Sequence, residues 1–113
     1  MSDASLEKTA RIRELNDQLR YNTVGGRIVI TRGIDALGTD GVRQVLAAVA
    51  RFDDFTEDND PWGEHDCAIL TVSWRRVLFK IDYYDRALTY HSPDASDPAV
   101  TERVMTVMLA EEY

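Results

Sequence analysis

The run of strand-forming residues between Cys67 and Tyr84 constrains the fold of this chain more than any other feature of its sequence. From residue 77 to residue 84 the apolar side chains recur at every second position, which is the period of a β-strand: Val77, Phe79, Ile81 and Tyr83. Residues 67–74 are also rich in strand formers. The two segments are close enough to predict a hairpin that turns at residues 74–76, with a short further strand around Leu88 and Tyr90.

Two segments before this hairpin carry the period of a helix. Over residues 5–20, the apolar side chains follow the i, i+3, i+7 spacing of one helical face: Ile12, Leu15 and Leu19. A second helix is predicted from an N-cap at Thr39 or Asp40 to about residue 51, with an apolar face of Val42, Val45, Leu46, Val49 and Phe52. A β-branched strand is expected between the two helices, over residues 27–31, because turn-forming residues bound it on both sides.

The last segment begins with the start signal of a third helix. Asp97 can accept hydrogen bonds from the first free backbone amides of a helix. Pro98 suits the first helical position, because its missing N–H donor costs nothing there. The predicted apolar face of this helix consists of Val100, Val104, Val107 and Met108.

Together these elements predict one α+β domain over residues 1–113, in which a small antiparallel or mixed sheet of three to four strands packs with three helices. A chain of 113 residues, 44% of them hydrophobic, is long enough to bury such a core without disulfides or metals. We expect residues 1–5 to be disordered. The predicted core comprises Val42, Val45, Leu46, Val49, Val77 or Leu78, Phe79, Ile81, Val104 and Met108.

Composition and the N-terminal sequence predict a cytoplasmic protein without a membrane partner. No apolar run approaches the roughly 20 residues that a membrane span needs, and the start of the chain lacks the apolar stretch of a secretory signal. The one cysteine, Cys67, cannot form an internal disulfide and fits a reducing compartment. It opens an apolar run, so we expect it to act as a small buried hydrophobe.

The formal net charge of −7 comes from one segment of the chain. Residues 1–51 carry eight Lys and Arg against six Asp and Glu, residues 67–113 carry five against seven, and the two differences cancel. The acidic segment, residues 53–66, has no Lys or Arg and seven carboxylates: Asp53, Asp54, Glu57, Asp58, Asp60, Glu64 and Asp66. Because the sequence has no basic patch, we expect no direct binding of nucleic acid.

One hypothesis for the acidic segment is a divalent-cation site with hard oxygen ligands from Asp58, Asp60, Glu64 and Asp66. An EF-hand loop that starts at Asp58 has an acid at its third position and Gly63 at its sixth. However, Trp62 takes the fifth position and Ile69 the twelfth, where a ligand is most needed. We therefore expect no cofactor, and a divalent cation is the alternative.

A second hypothesis is a metal-dependent or acid/base enzyme in which Glu64, His65 and Asp66 supply the reacting groups, helped by Asp82 or Asp85. Histidine is the usual proton carrier near neutral pH, which favours His65 in this role. Neighbouring residues of a strand point to opposite faces, however, and this separates His65 from the two acids. The sequence also lacks a nucleophile motif, a phosphate-binding loop and a zinc-protease motif.

The hypothesis that the residues favour is a non-enzymatic protein-binding or accessory module. An acidic loop punctuated by aromatic residues suits a basic protein surface, because complementary charges steer association. The expected contact residues lie in the acidic segment and at the end of the hairpin: Asp58, Asp60, Trp62, Glu64, Tyr84 and Asp85. A related alternative is an acidic mimic of nucleic acid that inhibits a DNA-binding protein.

Two sequence boxes carry a resemblance to known proteins. FDDFTEDNDPWGEHD at residues 52–66 and KIDYYD at residues 80–85 are similar to a small proteobacterial family of uncharacterised proteins, a domain of unknown function. The resemblance runs from about Arg11 to the C-terminus. It implies that the boxes are family features, with Trp62 and Cys67 the positions least expected to match, and it implies no known activity.

Overall fold

The computed structural model of the protein describes residues 3–113, in which it contains three helices and four strands. The helices are α1 (Asp3–Asn22), α2 (Arg32–Asp35) and α3 (Gly38–Arg51), and the strands are β1 (Arg27–Ile30), β2 (Cys67–Val72), β3 (Arg75–Tyr84) and β4 (Glu102–Leu109). Two short 3-10 helices, Pro98–Val100 and Ala110–Glu112, flank β4. The predicted α+β class is confirmed. Of the five N-terminal residues expected to be disordered, residues 3–5 belong to α1 and residues 1 and 2 lie outside the described part.

The strands form one mixed sheet in the order β1-β4-β3-β2. β2, β3 and β4 pair antiparallel, and β1 pairs parallel with β4. The predicted β2–β3 hairpin is present, and its turn is Ser73–Trp74, one residue earlier than predicted. Both turn residues have positive φ, 47° and 64°, as the favoured two-residue hairpin turns require.

The predicted C-terminal helix is wrong. Asp97 does accept a hydrogen bond from the backbone N–H of Ala99, but this cap serves only the 3-10 turn at residues 98–100. The chain then continues as β4, which pairs with β3 on one side and β1 on the other. β4 lies at the centre of the sheet and is apolar on both faces. Its sequence therefore lacks the alternation of a half-buried strand, and its apolar residues also fit the spacing of one helical face. The residues of this strand that suggested a helix are Val104, Val107 and Met108.

The further strand expected at Leu88 and Tyr90 is also absent from the described residues. Residues 85–91 form a turn instead, in which Leu88 has a positive φ of 60°. An isolated bridge between Tyr84 and His91 closes this turn. The fourth strand of the sheet is therefore β4 rather than this segment.

The hydrophobic core lies between the sheet and the helices, on the side that we call the inner face. The largest fully buried apolar side chains come from both the helices and the sheet: Leu19, Ile34, Val49, Val77, Phe79, Met105 and Val107. Of the predicted core residues, Val45, Val49, Val77, Leu78, Phe79, Ile81 and Met108 are buried, whereas Val42, Leu46 and Val104 are only partly buried. α1 and α3 thus cover one face of the sheet. No helix within residues 3–113 combines the length and the apolar character that crossing a bilayer requires.

The cost of truncating a core side chain tests this packing. Val107 is fully buried in β4, whereas Val29 on the edge strand β1 is 46% exposed. We expect Val107→Ala to lower the free energy of unfolding by about 2–3 kcal/mol, from lost apolar burial and a residual cavity, and Val29→Ala to lower it by about 0.5 kcal/mol or less. Urea denaturation of the two variants measures both values. Equal losses would contradict the placement of β4 at the centre of the core.

Candidate functional site

The acidic segment is held against one polar stripe of α1. Asn16 and Arg20 on this stripe are buried, and Asp17 between them is partly buried. Arg13, one turn earlier, donates a hydrogen bond from Nη1 to the carbonyl oxygen of Gly63 (2.9 Å). Because these contacts join residues almost fifty positions apart, the segment has a defined position on the helix.

Asn16 is the centre of a buried hydrogen-bond network. Its Nδ2 donates to the backbone oxygen of Glu64 (3.0 Å) and to the hydroxyl of Tyr83 (2.8 Å). The Tyr83 hydroxyl in turn donates to Oε1 of Glu64 (2.8 Å). Asn16 Oδ1 accepts from Nε of Arg103 (2.7 Å). One amide side chain therefore connects α1, the acidic segment, β3 and β4.

The two ionisable partners of Asn16 have pKa values shifted by burial. Burial raises the pKa of the Tyr83 phenol, which keeps it a neutral donor to Glu64. Burial lowers the pKa of Arg103, although a guanidinium remains charged at neutral pH. The Arg103 guanidinium lies over the Tyr83 ring, 5.0 Å from its centroid, and also donates to the carbonyl oxygen of Ala95. Hydrogen bonds and the aromatic face thus compensate this buried charge.

Arg20 fixes the start of the acidic segment. Its Nη1 donates to the carbonyl oxygens of Val49 and Phe52, both at 2.8 Å, at the C-terminal end of α3. Its Nη2 binds Oδ1 of Asp17 at 2.9 Å. A cation at a helix C-terminus is favourable because the last carbonyls carry negative partial charge. Arg20 therefore sets the direction in which the chain leaves α3.

His65 is a structural contact between the segment and α1. Its Nδ1 lies 2.9 Å from Oδ1 of Asp17, and its ring stacks on Phe55 with a centroid separation of 3.9 Å. Its backbone N–H donates to the buried carboxylate of Asp60 (3.1 Å). The backbone at His65 has a positive φ of 56°, which this set of contacts holds in place.

The outward side of the segment is a surface that we call the acidic face, defined by Asp53, Asp54, Glu57, Asp58 and Trp62. All five residues are exposed, and Trp62 is 76% exposed. Within residues 3–113, the carboxylates of these four acids take part in no hydrogen bond or ion pair. Thr56 and Asn59 shape the loop beneath them through reciprocal hydrogen bonds between side chain and backbone.

A cleft of about 330 Å³ lies beside the acidic segment, where it leads into β2. We call it the Asp66 cleft, and its lining includes Asp66, Asp82, Tyr83, Tyr84, Tyr90 and His91. Burial, together with the neighbouring carboxylates of Glu64, Asp60 and Asp82, raises the pKa of Asp66. Within residues 3–113, no nitrogen of a cationic side chain forms an ion pair with Asp66. Asp82, in contrast, pairs with Lys80 at 2.6 Å.

The proposed reacting groups have different partners in the structure. Glu64 binds Tyr83, His65 binds Asp17 and Asp60, and Asp66 lines the cleft with Asp82. No group of three or more His, Cys, Asp or Glu side chains among residues 3–113 is placed to hold a metal ion. Of the expected contact residues, Asp58 and Trp62 are exposed and Tyr84 and Asp85 are partly exposed, whereas Asp60 is buried and Glu64 is engaged in the network.

A family model for proteins of unknown function, DUF3768, matches residues 30–112. The chain belongs to the DUF3768 family. Neither a curated protein nor a solved structure matches the chain. The DUF3768 segment contains both sequence boxes and the whole sheet except most of β1. α1 precedes it, so the matched segment contains Glu64, Tyr83 and Arg103 but not the asparagine that connects them.

Sequence reasoning missed two residues of the buried network in this DUF3768 protein, Asn16 and Arg103. A weak signal exists for Asn16, because it falls four residues after Ile12 on the predicted apolar face of the first helix. A polar residue on such a face needs a partner once it is buried. Arg103 has no comparable signal, because it is not part of the apolar face of the helix predicted for its segment.

Removal of the Asn16 side chain tests the network. Asn16→Ala leaves the buried guanidinium of Arg103 and the Tyr83 hydroxyl short of partners, so we expect the free energy of unfolding to fall by about 2–3 kcal/mol. Asn22→Ala is the matched control, since Asn22 is exposed at the end of the same helix. Urea denaturation measures both. A loss no larger than that of the control would contradict the role of Asn16.

The Asp66 carboxylate gives a prediction for the dependence of stability on pH. An aspartate whose pKa is raised by folding destabilises the fold when it is ionised, and this cost disappears below its unfolded pKa of about 3.9. We therefore expect Asp66→Asn to raise the melting temperature at pH 7 and to leave it unchanged at pH 3. Asp58→Asn, at an exposed position of the same segment, is the control. An equal gain at both pH values, or from both variants, would contradict this assignment.

Proposed function

We propose that this protein is a binding module that recognises a positively charged protein surface through the acidic face and the adjoining Asp66 cleft. The proposal rests on one observation: some side chains of the acidic segment form hydrogen bonds within the fold, and the others face solvent. Its inward groups, Asp60, Glu64 and His65, are used by the fold. Its four outward carboxylates make no hydrogen bond or ion pair within residues 3–113, and Trp62 is 76% exposed, which leaves these groups available to a partner.

Rigidity supports this proposal, because a surface that is already ordered loses little conformational entropy on binding. The loop is fixed at its start by Arg20, at its middle by Arg13 and at its end by Asn16. The four carboxylates of the acidic face also repel one another, and this repulsion lowers the stability of the folded protein. A basic partner would offset the repulsion.

The chemistry of the exposed groups favours a protein partner. Tryptophan is enriched among the side chains that dominate binding energies, and Trp62 of the acidic face is largely exposed. The Asp66 cleft adds a carboxylate without a cationic partner beside the aromatic rings of Tyr84 and Tyr90. Carboxylates next to aromatic faces suit the ammonium or guanidinium group of a lysine or arginine.

Quantitative affinity capture from the source organism tests the proposal with two charge-matched variants. The face variant neutralises the four exposed acids of the acidic face (Asp53→Asn, Asp54→Asn, Glu57→Gln and Asp58→Asn). The control variant neutralises four exposed acids on the helices (Asp3→Asn, Glu7→Gln, Glu14→Gln and Asp40→Asn). Both variants change the net charge by the same amount, so a nonspecific charge effect would appear in both.

We expect a basic partner to be captured by the wild type and by the control variant, and to be lost from the face variant and from Trp62→Ala. We also expect its binding to weaken steeply with NaCl concentration, because exposed charges are screened by salt. Thermal melts of all variants verify that each one is folded. Capture that survives in the face variant, or that fails equally in the control variant, would contradict the proposal.

A further inference from the structure

β2 is an edge strand without the usual protection against pairing. In the sheet order β1-β4-β3-β2, only β3 pairs with it among the described residues. Natural edge strands avoid pairing with other molecules by being short or by carrying charges, proline or bulges. β2 has six residues, Cys-Ala-Ile-Leu-Thr-Val, with no charge and no proline. The opposite edge, β1, has four residues and begins with Arg27.

The hydrogen bonds of the β2–β3 ladder show which backbone groups face the open edge. The backbone oxygen of Asp66 accepts a hydrogen bond from the backbone N–H of Ile81 (2.7 Å). The backbone groups that bond to β3 are therefore those of every second residue from Asp66 onward. The backbone groups of Cys67, Ile69 and Thr71 therefore point away from β3. Their side chains lie on the outer face of the sheet, opposite the core, and Ile69 is 48% exposed.

We propose that β2 pairs antiparallel with β2 of a second copy of this chain, about a two-fold axis at Ile69. In this register Ile69 faces Ile69 of the second copy, and Cys67 faces Thr71. The three outward-facing residues of each strand then form about six backbone hydrogen bonds. The same register keeps the inner faces of both sheets on one side, because directly paired residues of antiparallel strands share a face.

The charges at the two ends of β2 complement each other in this arrangement. The acidic segment precedes β2, and the hairpin with Arg75 and Arg76 follows it. Antiparallel pairing brings the acidic end of one copy beside the arginine end of the other, at both ends of the interface. It also keeps the two acidic segments far apart, so the −7 charges of the chains are not concentrated in one place. A two-fold interface of this kind is self-complementary and closes at a dimer.

Disulfide cross-linking tests both the pairing and its register. Paired residues in this position have Cα atoms about 5.5 Å apart, within the range that a disulfide spans. In a Cys67→Ala background, we expect Ile69→Cys to form a covalent dimer under mild oxidation. Val29→Cys in the same background is the matched control, since Val29 is equally exposed on the other edge strand. Thr71→Cys should cross-link when Cys67 is retained and should not when Cys67 is replaced by Ala.

Sedimentation of the purified chain supplies the second measurement. We expect a dimer that dissociates more readily as NaCl is added, and we expect Ile69→Lys to weaken self-association by at least about tenfold, because two like charges then meet at the axis. Thermal melts verify that Ile69→Lys is folded. A monomer at all accessible concentrations, or cross-linking of Ile69→Cys no faster than of Val29→Cys, would overturn the proposal. Both measurements use the purified chain alone, so their outcome is independent of the capture experiment that tests the proposed function.

Discussion

The hydrogen bonds of Asn16 are the interaction on which the rest of this structure depends. α1 contributes few apolar side chains to the core: of its apolar residues, only Leu15 and Leu19 are buried. Its attachment therefore relies on polar contacts, and Asn16 satisfies Glu64, Tyr83 and Arg103 at once. A buried polar network of this kind is favourable only when every member has a partner, so it specifies one arrangement of helix, loop and sheet.

The same network explains how seven carboxylates fit into one loop. The Asp60 carboxylate accepts a hydrogen bond from the backbone N–H of His65, and the Glu64 carboxylate accepts one from the Tyr83 hydroxyl, so two of the seven are used by the fold. Arg20 and Arg13 add positive charge and hydrogen-bond donors from α1 on the inner side. The four acids of the acidic face are exposed to solvent, where water screens the repulsion among them.

Local periodicity predicted the two long helices and β3, because each of these elements buries one side. Strand-forming residues predicted β2 and, between turn formers, β1. β4 could not be recognised in this way, since Val104, Met105, Val107 and Met108 make it apolar on both faces. Its central position arises from pairing with β1 and β3, which are distant in sequence. The outward residues of the site, Asp58 and Trp62, were predictable from composition. The inward ones, Asn16 and Arg103, required the tertiary contacts.

The parallel pairing of β1 with β4 has a consequence for the order of folding. Arg27 pairs with Val104, so this ladder joins segments more than 70 residues apart in the chain. The β2–β3 hairpin closes over a two-residue turn, and its loop-closure entropy is correspondingly small. The hairpin can therefore form early, whereas β1 can pair only once β4 is in place. Pairings between distant segments slow folding, so we expect the β1–β4 ladder to form later than the hairpin.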